Sequence, residues 1–219
     1  MKKLFLLFVF VVASATISSA QFRAGFSFDY GIPTVKTDAD VLDKTALGDY
    51  AKGGIGGRLL AKYAVTENID AGLELGVGAF AGAEETYDDA SGIPTTFKAG
   101  VTVMTTTMLT GDYYFSTNNV APYVGLGLGF SRAVTANGSV SVEDIDEEEP
   151  EVDAGGNALE GTLFAASPRV GLKVGKLNID VAYNILTGKA SDIVDGGEKL
   201  KMNNSHLRIG VGFLFGRRN

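Results

Sequence analysis

Three short stretches carry residue types that could do chemistry. Ser205 and His206 are adjacent, and His206 is the single histidine of the 219 residues. A hydroxyl activated by an imidazole would make a hydrolase nucleophile. On a strand, however, neighbouring side chains point to opposite faces, so the two cannot readily hydrogen-bond, and catalysis is not expected. A second stretch holds Glu143, Asp144, Asp146, Glu147, Glu148, Glu149, Glu151 and Asp153 with no Lys or Arg among them. It could gather Ca²⁺, but it lacks the spaced ligands and central glycine of an EF-hand loop, so a solvated loop is expected. The third, Gly125-Leu126-Gly127-Leu128-Gly129, imitates a phosphate-binding loop. No helix follows to complete a phosphate cradle, and glycines at every second position of a strand thin one of its sides. There is no cysteine, which excludes disulfides, thiolate zinc sites and cysteine nucleophiles. No residue is assigned a catalytic, cofactor-binding or metal-binding role, and no cofactor is expected.

The elements that hold these residues are strands. In His206–Phe215, Leu207, Ile209, Val211, Phe213 and Phe215 alternate with His206, Arg208, Gly210 and Gly212. This period of two gives one apolar face and one polar or slender face. The same alternation predicts seven more strands, over Phe22–Tyr30, Gly54–Val65, Ile69–Ala81, Phe97–Phe115, Pro122–Val134, Thr162–Val174 and Leu177–Thr187. In the fourth, Thr105 and Thr107 interrupt the apolar face, which suggests a bulge that shifts the phase. No window carries a helical apolar period.

Eight strands is an even number, and the connections between them alternate long and short. Short ones fall near 66–68, 116–121 and 175–176; long ones run about 31–52, 82–96, 135–159 and 188–204. The two-residue connection Gly175-Lys176 suits a type II′ turn and would pair Val174 with Leu177, Leu172 with Ile179 and Val170 with Val181. Directed alternately, the strands collect Phe22, Tyr63, Tyr113, Phe115, Phe213 and Phe215 at the short-turn end. Tyr30, Phe97, Phe130, Phe164 and Tyr183 collect at the long-loop end. Two aromatic girdles and this loop rhythm belong to a transmembrane barrel rather than to a soluble sandwich. The expected fold is all-β: an eight-stranded antiparallel up-and-down transmembrane β-barrel over 21–219, closed by strands one and eight. Residues 1–20 read as a cleaved signal peptide, with Lys2 and Lys3, an apolar run over 4–13 and small residues Ser18 and Ala20 before the cut. No later segment approaches a membrane-spanning apolar helix. The formal net charge of −7 disfavours nucleic acid as a partner.

In this arrangement the polar face looks into the barrel. It carries Arg23, Asp29, Arg58, Lys62, Asp70, Glu74, Asp112, Arg169, Lys173, Asp180, His206 and Arg208. They could line an ion path. The favoured expectation is a neutralising salt-bridge network, because an eight-stranded barrel is only wide enough for side chains to fill. Diagonal placement puts Lys62 beside Asp70 and Glu74, and puts Arg169 and Lys173 beside Asp180.

The strand pattern, closing on Ile209-x-Val211-x-Phe213-x-Phe215, resembles the small eight-stranded outer-membrane β-barrel proteins of Gram-negative bacteria, the OmpA/OmpX-like porin superfamily. The chain departs from the family's usual aromatic terminus, since Gly216-Arg217-Arg218-Asn219 follow Phe215. The resemblance implies an outer-membrane location amid lipid and lipopolysaccharide. It also implies barrel-assembly machinery and periplasmic chaperones as partners in biogenesis, and a structural, non-enzymatic role with loops displayed at the surface. The alternatives are an adhesin-type binding module, a narrow pore and a lipid-modifying hydrolase. Lipid A deacylases of this architecture carry His and Ser two apart on one face, which the Ser205–His206 pair does not match. The extracellular ligand, if any, is not named by the sequence.

Overall fold

In the computed structural model, residues 21–35, 44–88, 94–98, 100–136, 139–142, 152–153, 159–192 and 200–216 are described. The signal-peptide expectation for 1–20, and the acidic stretch apart from Val152–Asp153, lie outside them. In chain order the strands are β1 (Phe22–Pro33), β2 (Lys44–Ala46), β3 (Ala51–Ala64), β4 (Ile69–Gly82), β5 (Glu84–Asp88), β6 (Pro94–Lys98) and β7 (Thr102–Tyr114). They continue as β8 (Val120–Thr135), β9 (Ser139–Val142), β10 (Val152–Asp153), β11 (Leu159–Val174), β12 (Leu177–Asp192), β13 (Leu200–Asn203) and β14 (His206–Phe215). One short helix, α1 (Leu47–Tyr50), precedes β3. Among the described residues no helix is long and apolar enough to cross a membrane.

Eight strands form the wall, in the order β1-β3-β4-β7-β8-β11-β12-β14, each antiparallel to its neighbours. The ring closes where β1 meets β14, with Phe26 opposite Phe213 and Tyr30 opposite Ile209. A row of cross-strand partners followed once round the barrel measures its stagger. It runs from Ile179 through Val211, Phe28, Gly57, Val77, Thr105, Arg132 and Thr162 and returns to β12 at Lys189, ten residues along. Eight strands with that shear tilt by about 43° and leave an interior that side chains fill.

The β11–β12 turn forms as predicted. Val174 faces Leu177, Leu172 faces Ile179 and Val170 faces Val181. Gly175 has φ 59° and, among the described residues, no non-glycine residue has positive φ, which makes this a type II′ rather than a type I′ turn.

Several strands differ from the sequence expectation. β1, β11 and β12 run three to five residues further at the long-loop end than the alternation indicates, and β13 continues β14 in the same register on β12. The predicted fourth strand divides: β7 begins at Thr102, while Pro94–Lys98 leaves the wall as β6. With β5, β9 and β10 it forms a separate four-stranded sheet ordered β10-β9-β6-β5. Phe97 therefore belongs to that sheet and not to the outer girdle. The bulge expected in β7 is absent, since its register with both β4 and β8 is unbroken. Thr105 and Thr107 simply take outward positions, where both are exposed. The shift that does occur lies at Ala51/Gly53, between β3 and β4.

Facing follows the alternation, and it is inverted relative to a water-soluble protein. Ile55 is 72% exposed, Leu109 71% and Phe28 69%, while Arg23 and Glu74 are each 1% exposed. Large apolar side chains cover the outside of every wall strand. Such a surface is stable against hydrocarbon, where each backbone group is already satisfied by the closed ladder.

Candidate functional site

The lumen gathers most of the buried ionisable side chains among the described residues. All twelve charged or imidazole residues expected there are on the inward face. Ten are buried, and Asp29 and Lys173 are half-buried. Even numbers point inward on β3, β4, β7, β12 and β14, and odd numbers on β1, β8 and β11. Each wall strand thereby delivers its polar set to the same interior.

The lumen is filled in three tiers, of which the lower two hold its ion pairs. At the short-turn end Arg23 pairs with Asp70, and its guanidinium lies 5.5 Å from the Tyr114 ring centre. Tyr114 and Tyr123 pack ring to ring at 5.1 Å, and Asn178 donates to the Tyr123 hydroxyl at 3.0 Å. The middle tier spans the lumen. Lys62 Nζ donates to Asp112 Oδ2 at 2.5 Å, and Arg169 Nε to Asp112 Oδ1 at 2.8 Å. Glu74 accepts from three guanidiniums: Arg169 at 2.7 Å, Arg208 at 3.1 Å and Arg58 at 3.2 Å. Asp180 accepts from Arg58 at 3.0 Å and from Arg208 at 3.1 Å. Arg58 also grips Asp29 with two bonds of 2.7 Å. Five cations (Arg23, Arg58, Lys62, Arg169, Arg208) thus meet five carboxylates (Asp29, Asp70, Glu74, Asp112, Asp180). For side chains this deeply buried, such mutual pairing offsets the desolvation of each charge.

The partners differ from those that diagonal placement suggested. Lys62 does stand opposite Gly72, yet it reaches Asp112 rather than Asp70 or Glu74. Arg169 passes Asp180 and binds Glu74 and Asp112. Glycines make the room: a Cβ at Gly125 would overlap the Asp112 carboxylate and Arg169, and one at Gly210 would overlap Arg58 and Asp29. The alternating glycines of β8 therefore do thin its inner side, and at Gly125 the space is taken by an ion pair.

Above the middle tier the chemistry changes. His206 packs against Phe80 with ring centres 5.0 Å apart, takes a hydrogen bond from the Asn184 amide at 2.8 Å, and is bonded through Nδ1 to the Asn204 carbonyl at 2.9 Å. These bonds place the ring proton on Nδ1. An apolar cluster of Leu47, Ala51, Phe80, Met104, Met108, Ala133, Leu163, Ala165, Leu186 and Met202 starts beside the middle tier, where Met108 stands opposite Glu74, and continues above His206. Leu47 comes from α1 and is fully buried, so the first long loop contributes to the plug. A cavity of about 60 Å³ remains between the two layers, bounded by Arg58, Glu74, Phe80, Met108, His206 and Arg208. Nothing in the alternation signalled this layer, because its members come from inward positions that read as exceptions to a polar face.

Ser205 and His206 do not pair. Ser205 Oγ donates to Asn203 Oδ1 at 2.6 Å and accepts from the Leu186 N–H at 3.2 Å, where the ladder breaks between β13 and β14. Ser205 is buried instead of facing outward into lipid, because the chain around Thr34 covers it: the Thr34 N–H and hydroxyl both donate to the Ser205 carbonyl. The serine satisfies backbone at a strand interruption.

A closed antiparallel eight-strand ring with an apolar exterior and an ion-paired lumen defines an integral membrane β-barrel of the outer-membrane type. No protein-family model matches the chain, and no curated protein matches it. Solved structures that it resembles include the outer membrane protein OprG from Pseudomonas aeruginosa, at 16% identity over 90% of this chain and 96% of that one, with a TM-score of 0.46. Another is AlkL in lipid bilayers, at 16% identity over 91% and 92% with a TM-score of 0.44. A third is Ail, the attachment invasion locus protein of Yersinia pestis, in complex with a heparin analogue, at 17% identity over 89% and 99% with a TM-score of 0.40. These likenesses are distant, and it is the closed ladder and its facing that define the fold.

Proposed function

We infer that the protein is a non-catalytic barrel of a Gram-negative outer membrane, contributing to envelope structure and carrying its long loops at the cell surface. The observation that supports this reading most directly is the filled lumen: a charge-balanced network under an apolar layer. A lumen built to conduct would leave its charges hydrated and its axis open. Purified protein in planar bilayers is expected to give no steady single-channel conductance; discrete openings would replace this reading with the narrow pore. The folded chain should also run as a heat-modifiable band in SDS, migrating differently before and after boiling.

Residues 1–20 serve in this reading as an export signal cut between Ala20 and Gln21, and N-terminal sequencing of the mature protein tests it. Assembly machinery and periplasmic chaperones would then receive the exported chain. A second reading, an adhesin-type surface module, is favoured by the small sheet β10-β9-β6-β5. There β6 and β9, from two different long connections, pair directly, with Phe97 opposite Val140. Loss of cell adhesion on deleting 84–98, with the barrel still heat-modifiable, would favour it.

A further inference from the structure

The soft donors of the chain fall together. Of its four methionines Met1 opens the sequence, and the other three, Met104, Met108 and Met202, are buried inside the barrel. So is His206, the single histidine. Met104, Met108 and His206 line the same cavity of about 60 Å³. Met202 belongs to the same apolar cluster without lining the cavity. The two methionines come from β7 and the histidine from β14, strands that do not pair, so the donors meet across the lumen and not along the wall.

The donor set selects the kind of ion. Thioethers are neutral, polarizable donors that suit soft monovalent cations such as Cu(I), and an imidazole adds to them. The carboxylates beside the cavity are committed elsewhere. Glu74 accepts from three guanidiniums, and Asp29 holds Arg58 through two bonds. Among the described residues no three of His, Cys, Asp and Glu gather to hold a metal ion, so oxygen-seeking divalent ions find no ready ligand set. The charges that line the cavity, Asp29 and Glu74 against Arg58 and Arg208, already balance. An entering ion adds its whole charge to them, and burying one charge costs less than burying two.

His206 is oriented as a ligand imidazole is oriented. Its Nδ1–H donates to the Asn204 carbonyl at 2.9 Å, which leaves the lone pair on Nε2. Nε2 accepts from the Asn184 amide at 2.8 Å, and Asn184 keeps its bond from Ser167 at 2.7 Å when an ion takes that lone pair. The Asn204 side-chain amide donates to Met104 Sδ at 3.7 Å, so one residue touches both the imidazole and the first thioether. Met108 Sδ rests against β8, where a Cβ at Gly127 would lie 3.1 Å from it. Three rotatable bonds let that side chain swing toward the cavity it lines. An ion takes about the room of one water, roughly 10–15 Å³, well within the space.

We propose that Met104 Sδ, Met108 Sδ and His206 Nε2 form a three-donor site for a soft monovalent cation, Cu(I) or Ag(I), in the barrel lumen. The bound ion ties β7 to β14 across the interior. The site is independent of what the surface loops do, and goes beyond the structural reading above.

The test uses the untagged chain folded in phosphatidylcholine nanodiscs, with methionine labelled at its methyl carbon, and titrates it with Ag(I), which does not change oxidation state. M104L, M108L and M202L assign the resonances. A single Ag(I) should bind per chain, moving the methyl signals of Met104 and Met108 and leaving that of Met202 in place. M104L/M108L keeps volume and apolarity and should lose more than about 100-fold in affinity, beyond the roughly 10–100-fold that follows loss of an outer partner. H206Q should lose at least about tenfold, and M202L should bind as wild type does. Ag(I) should also raise the temperature at which the heat-modifiable band converts, since an ion held only by the folded chain stabilises it. Wild-type protein that takes up no Ag(I), a double variant that binds as tightly, or displacement of Ag(I) by equimolar Zn(II) would each overturn the proposal. Should the double variant lose the heat-modifiable band, the methyl shifts of the wild-type chain decide alone.

Discussion

Below His206 the lumen is filled by Arg58, Lys62, Arg169 and Arg208 with their carboxylates; above it, by Leu47, Met104, Leu163, Leu186 and Met202. Both layers are made of buried side chains, and they fail differently. In the lower layer each charge is tolerated only because specific partners are present, so removing one strands the others. In the upper layer any apolar group of similar volume serves, and removing atoms costs transfer energy plus a cavity. The lower layer therefore demands identities, whereas the upper layer demands volume.

Five substitutions at four positions sharpen that contrast, each read as unfolding free energy by urea titration in lipid vesicles. Glu74→Gln should cost most, about 3–5 kcal/mol, because three guanidiniums lose their shared carboxylate in a buried site. Leu163→Ala, at a fully buried position of the upper layer, should cost about 2–3 kcal/mol, and Leu163→Met less than about 1.5 kcal/mol. Asp29→Asn should cost about 1.5–2 kcal/mol. It weakens two charge-assisted bonds to Arg58, but the site is half-buried and Arg58 keeps Glu74 and Asp180. Glu160→Gln, at the exposed pair with Arg132 on the outer wall, should move stability by less than about 1 kcal/mol. A Leu163→Ala effect above that of Glu74→Gln would break the contrast.

The wall was largely legible in the sequence, because lipid contact imposes an alternation on every strand that crosses. Its ends were less so. Above the bilayer the hydrogen-bonded ladder continues through Ala190 and Leu200, which pair, but the side chains there no longer need to be apolar outside. Alternation reports lipid contact, and the ladder outlasts it. The division of Phe97–Phe115 is hidden for the same reason: Phe97 and Lys98 read as the start of a wall strand while pairing with β5 and β9 beyond it. Thr105 and Thr107 imitate a phase change because a hydroxyl facing outward breaks the apolar pattern without altering the backbone. In the lumen, the residues were legible and their partners were not. Register gives neighbours along the wall, but in so narrow a barrel an arginine on β11 reaches a glutamate on β4. Distances across the lumen are set by shear and closure, which no single strand encodes.

The central claim is the inversion of faces: apolar residues against lipid, charges inside. Because the chain has no cysteine, single cysteines introduced one at a time from Leu207 to Phe213 can carry a fluorophore in folded protein in vesicles. Quenching by a lipid-borne nitroxide is then measured at each position. The account predicts strong quenching at 207, 209, 211 and 213 and weak quenching at 208, 210 and 212, a period of two along β14. Uniform quenching, or the opposite phase, would contradict it.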